Sequence, residues 1–162
     1  MKKSLTAFLA EGGIIAALYT VLTLLSAVFG ISSGVIQVRF SEMLTILPCF
    51  FSSAVPGLFV GCLLANLLTG AALWDIVFGS LATLLGAVGT RILRKKRYLA
   101  CLPPIFSNTL IIPWVLSKVY GFPQSIPFLM VSIFLGELIS CGILGQAFYM
   151  IIRRFRFLRT DR

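Results

Sequence analysis

The stretch WDIVFGSLATLLGAVGTRILRKKR, residues 74–97, decides the class of fold. From Trp74 to Leu93 only Asp75 and Arg91 are charged, so the run is apolar over a length that, at 1.5 Å per residue, makes a helix about 30 Å long. That is the thickness of a bilayer's hydrocarbon core. Arg94, Lys95, Lys96 and Arg97 follow at once, and four adjacent cations cannot enter hydrocarbon. An apolar helix that stops at such a clump is a membrane span with its basic end in the cytoplasm.

The remaining sequence repeats this alternation. Of 162 residues 59% are hydrophobic and 12% charged, against about 25% charged in an ordinary soluble domain. Mean hydropathy is +1.02. The expected architecture is all-α: a polytopic, single membrane domain over residues 1–162, with six transmembrane helices at about 8–29, 41–53, 56–72, 74–93, 98–118 and 127–152. The second span is short and carries Pro48, so it is tilted, kinked or only partly membrane-crossing. Charge supports it nonetheless. Six spans leave Lys2, Lys3, the Arg91–Arg97 clump and Arg153, Arg154, Arg156, Arg159 and Arg162 on one side, twelve of the fourteen basic residues, with only Arg39 and Lys118 opposite. Removing span two would turn the middle clump outward. The expected location is therefore the cell membrane, multi-pass, with both termini cytoplasmic.

A formal charge of +9 would suggest nucleic acid in a soluble protein. Here the cations sit between apolar runs, where topology and contact with anionic lipid headgroups of the bilayer account for them, so no nucleic-acid partner is expected. Cys49, Cys62, Cys101 and Cys141 are isolated, without CxxC spacing, and there is no histidine, so they read as small packing residues and no metal or cofactor is expected. The N-terminal apolar run is of full membrane width without a small-residue cleavage site, and reads as the first span rather than a cleaved signal.

Charged groups inside a bilayer are costly, about 2.5–3.5 kcal/mol at mid-depth, so acids within spans are functional candidates. Glu11 lies near the cytoplasmic start of span one and Asp161 in the basic tail. Glu42 and Asp75 begin spans at the outer face, and Glu137 lies about 15 Å into span six. Gln37, Asn66 and Gln124 fall in the outer half, Asn108 nearer the middle, and Trp74 and Trp114 offer flat aromatic faces at a similar level. Together they predict a small-molecule pocket open to the outside. Plainer readings stand beside this one: an ion pair of Glu42 with Arg39, an N-cap for Asp75, and a helix-to-helix hydrogen bond for Glu137 and Asn108. Small residues recur in two spans: Gly12, Gly13, Ala16 and Ala17 in the first, and Gly79, Ala82, Gly86 and Gly89 in the fourth. Such spacing lets helix backbones approach. Catalysis lacks its parts: no histidine, GxSxG, P-loop or metal-ligand spacing is present, so an enzyme is not expected.

Gln37-Val38-Arg39-Phe40-Ser41-Glu42 running on to Leu47-Pro48, then Ala65-Asn66-Leu67, Asp75-Ile76-Val77-Phe78-Gly79-Ser80-Leu81-Ala82-Thr83, and Pro103-Pro104 with Asn108 resemble the QueT family of substrate-binding (S) subunits of energy-coupling-factor (ECF) transporters. The likeness covers nearly the whole chain. It implies a six-helix subunit that captures a queuosine precursor, a 7-deazaguanine such as preQ1, preQ0 or queuine, and docks on a membrane coupling protein driven by two cytoplasmic ATPases. It also implies that Gly13 and Ala17 form the coupling-protein contact, with glycine where alanine is more usual. The substrate-binding candidates are Gln37, Arg39, Glu42, Asn66, Trp74, Asp75, Asn108 and Glu137. Carboxylates can accept the donors of a 7-deazaguanine base and neutralise an aminomethyl cation, while a tryptophan can stack on the ring. A stand-alone ion-coupled carrier would need a second gate that the short span two hardly supplies. A membrane enzyme acting at the lipid interface would have only Glu42 and Asp75 for acid and base.

Overall fold

The computed structural model describes residues 4–30, 37–121 and 123–160, with the side chains of 156–160 apart. Lys2, Lys3, Asp161 and Arg162 lie outside the described residues.

Helix α1, Leu5–Val28, starts where the Ser4 hydroxyl accepts the Ala7 N–H at 3.2 Å, satisfying one of the amides a helix start leaves free. A 3₁₀ helix, Phe40–Cys49, comes next, followed by α2, Ala54–Leu68, α3, Leu73–Ile92, and α4, Leu102–Lys118. The last apolar stretch is one continuous rod: α5, Ile126–Glu137, a π-helical turn, Leu138–Leu144, and α6, Gly145–Thr160. No strand occurs among the described residues. Among the described residues three helices are long and apolar enough to cross a bilayer: Leu5–Val28, Leu73–Ile92 and Ile126–Phe155.

The expected span two departs from an α-helix. Its ten residues, at about 2.0 Å rise each, extend about 20 Å, short of the hydrocarbon thickness. The sequence accounts for the tighter winding. Pro48 has no N–H to give, and the Thr45 hydroxyl donates at 2.6 Å to the Glu42 carbonyl, which an α-helix would use for the N–H of Ile46.

Close backbone contacts fix how the rods pack. A Cβ added at Gly57 would lie 2.7 Å from the Gly12 carbonyl oxygen, and one at Gly61 would lie 2.8 Å from Tyr19 Cβ, so α1 and α2 run side by side in the same direction. A Cβ at Gly86 would meet Pro104 Cα at 2.7 Å, joining the end of α3 to the start of α4. The small residues of α3 thus serve internal packing. At the basic end Arg91 Nη1 donates to the Pro48 carbonyl at 2.9 Å, and Arg97 and Gln146 exchange two hydrogen bonds of 3.1 and 3.0 Å. Ser53 Oγ donates to Glu11 there at 2.9 Å. The start of α1, the Arg91–Arg97 clump and α6 therefore share one end of the bundle. Asp75, Tyr120 and the start of α5 share the other. The interior around Tyr19, Leu44, Leu58 and Ala65 is closely packed, whereas Leu9, Leu18, Val21, Leu85 and Val131 point outward, as lipid-facing side chains do.

Candidate ligand-binding site

Polar side chains from five elements meet inside the bundle. Glu42, in the first turn of the 3₁₀ helix, is 1% exposed and accepts the hydroxyl of Tyr19 from α1 on Oε1. Its Oε2 is buried without a hydrogen-bond partner. Glu137, at the end of α5, accepts Asn108 Nδ2 from α4 on Oε1 at 2.8 Å and the Cys141 thiol on Oε2 at 3.1 Å. One ligating atom from each of Glu42, Glu137 and Cys141 lies within 4.8 Å of the others. Two carboxylates so near one another in an apolar bundle would repel if both were charged, and only a positive partner makes their ionisation favourable together. Carboxylates and a thiol are also groups that ligate divalent metals.

Local structure brings these groups together. The π turn after Glu137 adds a residue to the helical repeat and directs Ser140 and Cys141 inward: Ser140 Oγ accepts the Arg39 N–H at 3.3 Å, and Cys141 Sγ lies 3.3 Å from Thr45 Oγ1. Gly136 lets the chain entering the 3₁₀ helix cross directly over α5, since a Cβ there would collide with the Gln37 carbonyl oxygen. Gln37 and Arg39 are thereby laid over Glu137. They line a cavity of about 20 Å³ with Gly79, Thr83, Asn108 and Glu137. That volume holds about one water, far below the ~300–1,000 Å³ of an open ligand pocket, so the site is closed in this structure.

Asp75 and Asn66 form a second polar group nearer the outer end. Tyr120 donates to Asp75 Oδ2 at 3.0 Å while accepting the Ala72 N–H at 3.0 Å, and Asn66 Nδ2 reaches the Asp75 carbonyl at 3.4 Å. Asp75 is thus a tie between α3 and the end of α4, and the N-cap position of α3 is Ala72. Trp74 stands on the other side of the same turn. It is 58% exposed, stacked on Phe78 with centroids 5.9 Å apart, and shares with Trp114 an outward apolar groove of about 830 Å³ along α3 and α4. Neither tryptophan faces the carboxylates, because neighbours on a helix point about 100° apart. Gln124 is exposed in the loop before α5.

Residues 9–154 match the family described as QueT transporter. The chain belongs to this family. It is 39% identical, over 85 residues, to a queuosine precursor transporter QueT of Lactococcus lactis subsp. cremoris (strain MG1363). That similarity covers 52% of this chain and 49% of the relative, so about half of each is aligned. No solved structure matches. Membership agrees with the resemblance of the 37–42, 65–67 and 75–83 strings.

Of the residues singled out in this QueT-family sequence, Gln37, Arg39, Asn108 and Glu137 come together at one cavity, with Glu42 beside Glu137. Asn66 and Asp75 form the outer tie, and Trp74 lies apart. The plain reading of Glu137 and Asn108 as a helix-to-helix hydrogen bond holds as geometry, and the same pair lines the cavity. The ion pair drawn for Glu42 is replaced by the bond from Tyr19. Cys141 is more than a packing residue, since its thiol bonds Glu137 from one turn away. Its spacing of four from Glu137 was a usable signal. Tyr19 and Tyr120 were missed because a tyrosine in an apolar run reads as hydrophobic bulk until a partner for its hydroxyl is known.

Proposed function

We propose that this chain is the substrate-capture subunit of an ECF-type importer for a queuosine precursor, a 7-deazaguanine such as preQ1, preQ0 or queuine. The observation that carries this reading is the buried Asn108–Glu137 pair at the cavity beside Glu42, because an acceptor-rich, dry site suits the ring N–H and amine donors of such a base. Membership in the QueT transporter family and the name of the Lactococcus relative support the same substrate class. The base binds when the segment bearing Gln37 and Arg39 lifts from α5, and the polar groups then exchange partners with each other for partners on the ligand. The chain has no nucleotide-binding motif, so energy for release comes from two cytoplasmic ATPases acting through a membrane coupling protein.

Gly13 and Ala17 fit the coupling contact. Both are exposed, and nothing lies within 4 Å of a Cβ added at Gly13, whereas their neighbours Gly12 and Ala16 pack on α2. The small-residue stripe of α1 is therefore two stripes, one internal and one outward.

The test is uptake of a radiolabelled 7-deazaguanine by cells carrying this chain with and without a coupling protein and its ATPases, paired with calorimetry on the purified subunit. Binding by the subunit alone and accumulation only with an active ATPase is the expected result. ATPase-independent accumulation driven by an ion gradient would replace the reading with a stand-alone carrier, and absence of binding to any 7-deazaguanine would remove the substrate class.

A further inference from the structure

Glu42 Oε2 stands out within the polar cluster. Glu42 is 1% exposed, its Oε1 is taken by Tyr19, and Oε2 has no hydrogen-bond partner. The amide of Asn108 faces Glu42 as well as Glu137, yet its hydrogen bond goes to Glu137 Oε1, and no donor reaches Oε2. A carboxylate oxygen removed from water and left without a donor is costly, so such an atom marks a place that something else completes.

The charges around it say what that is. Two carboxylates, Glu42 and Glu137, stand against one guanidinium, that of Arg39, which lines the same cavity; Tyr19 and Cys141 contribute neutral donors. With both carboxyls ionised one negative charge lacks a partner, and without a further cation one of the two keeps its proton. Asp75, tied to Tyr120, draws on the same guanidinium and adds to the negative side of this balance, while Lys118 lines the outward apolar groove. The missing piece is one positive charge that is also a hydrogen-bond donor.

We propose that Glu42 is the specificity residue for a protonated amine on the ligand, its Oε2 accepting the ammonium while Glu137 and Asn108 hold the ring. The proposal rests on the 7-deazaguanine reading above and adds which substituent the site selects and which atom selects it. Both a ligand ammonium and a free metal cation would supply the charge, and the thiol of Cys141 beside the two carboxylates makes the second source testable. The ammonium is favoured because it supplies three directed donors to a site whose unmet need is a donor, whereas the sulfur of Cys141 is already giving its hydrogen to Glu137.

The experiment compares three bases on the purified full chain in nanodiscs: 7-aminomethyl-7-deazaguanine, its uncharged 7-methyl analogue and the 7-cyano analogue. Wild type should bind the aminomethyl base at least tenfold more tightly than either neutral one. Glu42→Gln, checked for folding by its thermal transition, should bring that ratio to within about twofold of one. Equal wild-type affinity for the aminomethyl and methyl bases overturns the proposal without using any variant and leaves the substrate class standing. An unchanged ratio in Glu42→Gln overturns it as well. Should the neutral bases bind tightly once Zn²⁺ or Mn²⁺ is added, and EDTA reverse this, the cation is a metal and the ammonium assignment fails. If none of the three bases binds, the proposed substrate fails and this inference with it.

Discussion

At the scale of single residues, Glu137 takes a hydrogen bond on each oxygen, each from a different helical segment. Glu137→Gln keeps the shape but turns one acceptor into a donor, which then faces the donor of Asn108 or of Cys141. The expected cost in ligand affinity is about 2–3 kcal/mol, the scale of a lost charge-assisted bond. Calorimetry with a 7-deazaguanine measures it, and affinity within threefold of wild type would move the binding site elsewhere. Gly136 permits a different contact, and there the backbone of Gln37 occupies the space of a side chain. Gly136→Ala should push residues 37–39 off α5 and destabilise the fold by about 1–3 kcal/mol, the usual effect of overpacking, with a matching loss of binding. A thermal transition and affinity equal to wild type would show that this segment does not rest on α5.

At the scale of helices, neighbouring glycines in α1 and α2 should respond in opposite ways. Gly57 approaches the backbone of Gly12, with 2.7 Å available to a Cβ, so Gly57→Ala must part the two helices and should lower the thermal transition in detergent. Gly13→Ala meets open space and should leave the transition unchanged or slightly raised, because alanine is the better helix former by about 1 kcal/mol. Larger residues on the same face address the partner rather than the fold. Gly13→Leu and Ala17→Leu should leave ligand binding intact and abolish co-purification with the coupling protein, and variants that still co-purify and transport would remove α1 from that contact.

For the molecule as a whole, the start of α1, the start of α6 and the middle basic clump gather at one end of the bundle, and from the positive-inside rule we propose that this end is cytoplasmic. Gln124 is exposed at the opposite end, while Cys62, Cys101 and Cys141 are buried and Cys49 is half-buried near the cytoplasmic side. A cysteine at 124 in intact cells should therefore react with a membrane-impermeant maleimide against a low background. Labelling only after permeabilisation would invert the topology. The same arrangement leaves much of the outer wall apolar, including the groove lined by Trp74 and Trp114, which suits a protein bathed in lipid.

Helical class, the position of most rods and the end at which they carry their charge were legible in the sequence, because hydropathy and the placement of Lys and Arg act locally along the chain. The buried acids Glu42, Asp75 and Glu137 were legible as candidates too, since a carboxylate in an apolar run needs a reason to be there. What no local rule could supply was pairing. Asp75 and Trp74 are adjacent in sequence, yet one is a buried tie and the other faces outward. Glu42 and Glu137 are distant in sequence and meet where the chain crosses α5 at Gly136, and the 3₁₀ winding around Glu42 and the π turn that carries Cys141 turn side chains by a fraction of a turn. Side-chain direction in a helix depends on such fractions, and contacts between segments decide them, so only the tertiary structure determined which of the candidate residues share a site.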